Sequence, residues 1–386
     1  MRRPIDIAGL FALAALLLAG CTTGRVAPSD LQRPSLTFET DLFGERPEIV
    51  EPAQIFALTD SQRQAFLDFF DDPAQQRAPA HKRVRRYLEI VTEGFDFHND
   101  TRTAAEALRT SEGNCLTLAL LTTALADLAD VEVGYQIVKS TPVFEMTGSV
   151  VTRGLHVRSI LYDPSWEPGT TLFLRRPGIQ FDFFPTGTER FVSNLSHREY
   201  VAMYYSNIAG EAIAGGDNRL AFWLSLTSLD VAPDNVIALN TIAVAYRRAG
   251  DEAKAEEILR YGIATAPKEV SFLRNYSALL ERQGRVEEAA EIDAALDALD
   301  DANPFDGVMA GQLAYSDGDY REAITHFRRA AKIAPYLHEA HMGMALAYLK
   351  LGNANRGKAE LKRAIEKTQR RTTRSIYEAK LATLNY

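Results

Sequence analysis

Five glycines, Gly216, Gly250, Gly284, Gly318 and Gly352, stand 34 residues apart without a slip. A small residue recurs at one offset after each of them: Ala221, Ala255, Ala289, Ala323 and Gly357. Pro233, Pro267 and Pro335 recur further on, with Asp301 in that place in the third copy. Tyr246, Leu280 and Tyr348 are large residues just ahead of three of the glycines. A chain with such a period does not fold around one central core. Each copy is a small unit that hides its apolar face only by stacking on the next. The period has room for two helices: the glycine makes the turn between them, the small residue lets them approach closely, and the proline marks the exit.

A helix–turn–helix unit of this length resembles the tetratricopeptide repeat (TPR). Five units follow without insertion: 202–235, 236–269, 270–303, 304–337 and 338–371. Residues 372–386 are then a capping helix over the last unit's apolar face. In arrays of this kind the first helix of each unit lines a groove. That places Asn240, Arg247, Arg248, Arg274 and Arg282 on the inner face, where clustered guanidinium groups suit a carboxylate or an acidic peptide. A protein or peptide partner is therefore expected in the groove.

The other end of the chain is an address. Arg2 and Arg3 precede an apolar run, Ile7 to Leu18, that is too short to span a bilayer. Leu18-Ala19-Gly20-Cys21 follows and resembles a bacterial lipobox. The resemblance implies a signal peptide over 1–20, cleavage, and a lipid on Cys21. With Thr22 next, rather than the Asp common in lipoproteins retained at the inner membrane, it implies an outer-membrane anchor facing the periplasm. Residues 21–54, rich in Pro, Ser, Thr and acids, read as a tether. The net charge of −8 gives no footprint for nucleic acid. No phosphate-binding glycine loop and no acidic calcium loop is present, and neither cofactor nor metal is expected.

Between tether and repeats, residues 55–200 change period part-way. Helical patterns come first: one after Thr59-Asp60, one from His81 through Val91, and one from Thr101 to Arg109. Ser111-Glu112-Gly113-Asn114-Cys115 then leads into the apolar run Leu116 to Leu121, a helix reaching about Asp130. Strand patterns follow, at Val131–Val138, Leu155–Tyr162 and Ile179–Phe184, with 147–153 a loop or weak strand. Helices followed by an antiparallel sheet make an α+β domain.

Cys115 carries the chemical expectation. The chain has two cysteines, and acylation of Cys21 leaves Cys115 as one free thiol in an oxidising compartment. At a helix start, unpaired backbone N–H groups and the helix dipole favour a thiolate. A thiol nucleophile needs a base. Among the seven histidines, His156 opens a strand of the sheet that must pack on the Cys115 helix. Asp163 is nearest to it in sequence, but seven residues of strand span about 23 Å and end on the other face. Asp182, between Phe181 and Phe183 on the next strand, is the better-placed carboxylate.

This order of helix, Gly113-Asn114-Cys115-Leu116, Gly154-Leu155-His156-Val157 and Phe181-Asp182-Phe183-Phe184-Pro185 resembles the transglutaminase-like superfamily. The likeness covers roughly residues 80–190. It implies a papain-type arrangement of Cys115 as nucleophile, His156 as base and Asp182 as orienter, with Asp163 as rival because the gap from His156 to Asp182 is long. The resemblance further implies a periplasmic cysteine hydrolase that cuts a peptide or protein amide through a thioester. The alternatives are a non-catalytic TPR scaffold and an acyl transferase. The Cys115 N–H is the expected oxyanion donor.

Overall fold

The computed structural model describes residues 36–386 except 99, 148–149, 168–175, 182–189, 268, 299–303, 369–370 and 385–386. Cys21, Asp182 and Asp301 lie outside the described residues.

Helices α1 (Pro52–Phe56), α2 (Asp60–Phe70) and α3 (Ala80–Val91) open the α+β part. Thr59 starts α2 with a capping box closed by Gln62. A short parallel pair, β1 (Asp96–Phe97) and β2 (Glu112–Gly113), flanks α4 (Ala104–Thr110). Helix α5 (Cys115–Leu128) follows, with every residue from Leu116 to Ala126 buried. It carries no charge before Asp127, so no face of it seeks water. On one side Leu118, Leu121 and Leu125 pack with Phe66, Val84 and Leu88 of α2 and α3. On the other, Leu116, Ala119 and Leu120 pack with Tyr135, Val157 and Tyr200.

Strands β3 (Val133–Thr147), β4 (Val150–Tyr162), β5 (Gly178–Phe181) and β6 (Arg190–Leu195) form an antiparallel sheet in the order β5-β4-β3-β6. One of the two alternatives for 147–153 is taken, and one strand is added. Residues 150–153 belong to a long β3–β4 hairpin, and β6 adds an edge strand beside β3. The pattern over 190–195 is short and polar at Ser193 and Asn194, which suits an edge.

The segment expected to be tether is anchored at several points from Phe43 onward. Phe43 is buried and stacks on Phe222 at 3.8 Å between ring centroids. Arg46 donates to the Thr227 hydroxyl at 2.9 Å, and the Tyr205 hydroxyl donates to the Val50 carbonyl at 2.7 Å. Aromatic and polar anchors thus strap residues 43–50 over the first helices of the repeat region, and a purely compositional reading does not register them.

The repeat region is built of helix pairs: α6 (His197–Ala214) with α7 (Asn218–Val231), α8 (Val236–Ala249) with α9 (Glu252–Thr265), and α10 (Val270–Arg282) with α11 (Val286–Ala298). Two more follow, α12 (Pro304–Ser316) with α13 (Tyr320–Ile333) and α14 (His338–Lys350) with α15 (Ala354–Lys367), and then α16 (Arg371–Thr383). The five periodic glycines all have positive φ, from 74° to 95°. Each turn is closed the same way: the residue after the glycine donates its N–H to the carbonyl five back, as Asp251 does to Tyr246 at 3.0 Å. Asp217, Asp251, Asp319 and Asn353 then cap the following helix. Arg285 breaks that pattern and instead holds Glu256 and Glu288.

Stacking is uneven along the array. On the first helix of the second, third and fifth units, Ala245, Leu279 and Ala347 are fully buried. The matching Leu313 of α12 is 65% exposed and Met309, one turn earlier, is 56% exposed. The fourth pair therefore exposes two apolar side chains, one of them at a position that those siblings bury. At the other end Tyr377 of α16 packs with Ala345, Leu361 and Ala364, as a cap should.

Candidate functional site

The turn before α5 is held rigidly. Ser111 ends α4 in the left-handed conformation, at φ 53°. Gly113 has φ 145°, and a Cβ there would come within 2.7 Å of the Thr117 side chain, so no other residue fits. Its carbonyl accepts from the His98 N–H at 3.0 Å, extending the β1–β2 pairing. Asn114 is the N-cap: its Oδ1 accepts from the Thr117 N–H at 2.9 Å and its Nδ2 donates to the Thr101 hydroxyl at 2.7 Å. Cys115 is thereby the first residue of the helix, a free thiol at intermediate exposure.

Beneath it the packing is aromatic. Tyr200 of α6 is fully buried and stacks on Tyr135 of β3 at 4.0 Å. The Tyr135 and Thr123 hydroxyls are 3.1 Å apart. Burial pushes the Tyr200 hydroxyl far up, with Tyr135 and the nearby Cys115 adding to the push, so it stays protonated.

A polar cluster that the sequence reading passed over adjoins the same turn. His98 Nδ1 lies 3.1 Å from the Asp100 N–H, which donates to it, and Nε2 lies 3.5 Å from Glu112 Oε2. Arg102 binds both Asp100, at 3.1 Å, and Glu112, at 3.2 Å. Glu211, on α6, accepts from the Thr101 N–H at 2.8 Å. Burial pushes its carboxyl up to about 7, Thr101's two donors pull it back and Asp100 adds to the rise. The dense run Phe97-His98-Asn99-Asp100-Thr101-Arg102 was the one local signal for this cluster.

The other expected site residues fare differently. The His156 backbone pairs with Val138, and the register breaks between Val138 and Val143, just beyond that pair. Along β4, Val157 and Leu161 share the cores of α5. Asp182 is outside the described residues; the last residue of β5, Phe181, sits across from Ser159. Asp163, the rival carboxylate, is held by the Ser165 hydroxyl at 2.7 Å and lies beside His81 of α3 at 3.7 Å.

In the repeats, Arg247, Arg248 and Arg282 come together: burial lowers the pKa of Arg247 first, and the charges of Arg248 and Arg282 lower it further. Glu252 tempers the cluster by pairing with Arg282 at 2.8 Å. Arg248 also donates to the Ile213 carbonyl. Asn275 Nδ2 donates to Asn240 Oδ1 at 2.9 Å, and Arg274 beside Asn275 is half-buried. So the structure gathers three of the five expected groove residues into one basic patch and ties Asn240 to the neighbouring unit. Among the described residues no cluster of three His, Cys, Asp or Glu is placed to hold a metal. His341 is paired with Glu360 at 2.8 Å.

With this geometry in hand, comparison with known proteins decides one point. The family described as Tetratricopeptide repeat matches residues 314–375. The repeats are tetratricopeptide repeats. Solved structures similar to the chain include a thermophilic TPR protein of Thermus thermophilus, 18% identical, covering 47% of this chain and 98% of that one at a TM-score of 0.30. Pseudomonas aeruginosa pilF is 17% identical over 49% of this chain and 86% of its own, at a TM-score of 0.30. MamA is 21% identical over 42% of this chain and 94% of its own, at a TM-score of 0.25. No curated protein matches the chain significantly.

Proposed function

We propose that the chain is a membrane-tethered TPR scaffold whose repeats recruit a protein partner through the Arg247, Arg248 and Arg282 patch. The lipid would sit on Cys21 and hold the protein at the outer membrane, facing the periplasm. The observation that carries this reading is the patch itself: three guanidinium groups from two adjacent units, with one glutamate between them. Such a surface suits an acidic segment of a partner, because guanidinium forks bind carboxylates in pairs. Arg248→Glu with Arg282→Glu, compared with wild type in a pull-down from periplasmic extract, tests it. Loss of the acidic partners, with greater salt sensitivity in the wild type, is the expected result; unchanged capture removes the patch from the binding site.

A second reading is favoured by the N-capped, partly exposed Cys115 above the buried Tyr200. Here the α+β part is a transglutaminase-like cysteine hydrolase acting on a peptide or protein amide, with Cys115 as nucleophile, His156 as base and Asp182 as orienter. The acyl-transfer variant differs only in the group that resolves the thioester. The family match falls on the repeats, at residues 314–375, which is why this reading comes second. Rapid iodoacetamide labelling of Cys115 that slows sharply in His156→Ala supports it; equal slow labelling in both leaves the scaffold.

A further inference from the structure

We propose that Glu211 is a positioning residue for Cys115, holding the thiol's turn from the first helix of the repeat array through Thr101 and Asn114. Three contacts make the path. The Thr101 N–H reaches Glu211 Oε1 at 2.8 Å, Asn114 Nδ2 reaches the Thr101 hydroxyl at 2.7 Å, and the Thr117 N–H reaches Asn114 Oδ1 at 2.9 Å. Glu211 is thus two hydrogen bonds, by way of Thr101, from Asn114, the cap of the helix that begins with Cys115. Its partner Thr101 is 110 residues away in sequence, so the link joins the α+β part to the TPR array. This inference rests on the reading of Cys115 as a reactive thiol.

The chemistry makes the link switchable. An ionised Glu211 is a pure acceptor and takes both Thr101 donors, the N–H and the hydroxyl. A neutral Glu211 carries its own O–H, which competes for the same space, and the turn loosens. The carboxyl is pushed up to about 7, so both forms are populated near neutrality. Asp100 and Arg102 face it from the loop, one raising and one lowering, and Tyr204, which Glu106 also influences, lies two turns earlier on the same helix. A partner that shifts α6 would act on the turn by the same path, because Glu211 and the repeats share that helix.

The test is the rate of iodoacetamide labelling of the Cys115 peptide, read by mass, for full-length wild type and Glu211→Gln as pH is varied. Taking the ratio of the two rates cancels the thiol's own ionisation. The ratio should be near one below about pH 6 and change roughly three- to tenfold above about pH 8, with its midpoint near 7. Thr101→Val should behave like Glu211→Gln, and Thr101→Ser like the wild type. Glutamine has glutamate's shape and removes a buried charge, so the variant folds. A ratio that stays flat with pH overturns the proposal. If Cys115 labels in no variant, the thiol reading fails, and amide hydrogen exchange over residues 100–117 decides positioning. A wild-type change in protection near pH 7 that Glu211→Gln lacks supports it, and matching profiles overturn it.

Discussion

Asp163 lies 3.7 Å from Nδ1 of His81, an imidazole only 4% exposed. The contact joins α3 to the turn after β4. Ser165 fixes its orientation, donating both hydroxyl and N–H to the same Oδ1 that faces His81.

His81 makes stability fall in mild acid. Burial lowers its pKa from 6.5, outweighing the attraction of Asp163. The folded state therefore resists protonation that the unfolded state accepts. The sign follows: His81's contribution is complete above the unfolded value of 6.5 and is lost as pH falls from there toward the depressed folded pKa. Urea midpoints measured from about pH 7.5 down to about pH 5 should drop more steeply for wild type than for His81→Gln. Parallel profiles would show that the imidazole does not titrate in this way.

Gly113 is the residue on which the Cys115 turn depends. Gly113→Ala must either leave φ 145° or press its Cβ to within 2.7 Å of Thr117. A loss of about 1–3 kcal/mol in chemical denaturation is expected. Adding Thr117→Ala should restore part of it, because the clash is relieved and the backbone strain is not. Full restoration would assign the whole cost to the clash.

Asn235 stitches the first TPR unit to the second. Its Nδ2 donates to the hydroxyls of Ser206 and Ser228, each at 2.9 Å, and its Oδ1 caps α8 through the N–H groups of Ile237 and Ala238. Both serines are buried. Asn235→Ala removes a cap worth about 1 kcal/mol and strips two buried hydroxyls of a partner, for a combined loss of about 2–4 kcal/mol. Asn235→Asp keeps the cap and loses the donor, so it should fall between the two. An alanine variant within about 0.5 kcal/mol of wild type contradicts this account.

The repeats were legible because their signal is periodic and local. A glycine at positive φ, a bond five residues back and an aspartate cap all fall within one turn, so Gly250 and Asp251 can be read directly from the chain. The start of α5 at Cys115 was legible for the same reason. The surroundings of Cys115 were not. Glu211 meets Thr101 across 110 residues, and nothing in either neighbourhood marks the other. The strap at Phe43 escaped notice because a single aromatic in a Pro-rich segment has no period, although it stacks on Phe222. Phase could not show that the Arg248 guanidinium reaches the Ile213 carbonyl.

Leu279 and Leu313 occupy the same position of successive TPR units, yet one is fully buried and the other 65% exposed. Equal chemistry in unequal surroundings gives a direct comparison. Leu279→Ala should cost about 2–5 kcal/mol, the usual range for a buried leucine, and Leu313→Ala should stay within about 0.5 kcal/mol. The reason is that truncating Leu313 opens no cavity: its side chain already borders water, as does Met309 one turn earlier. Thermal or urea melts of the two variants settle the matter. Should Leu313→Ala prove as costly as Leu279→Ala, α12 is covered in solution, and the third and fourth TPR units stack as closely as the others.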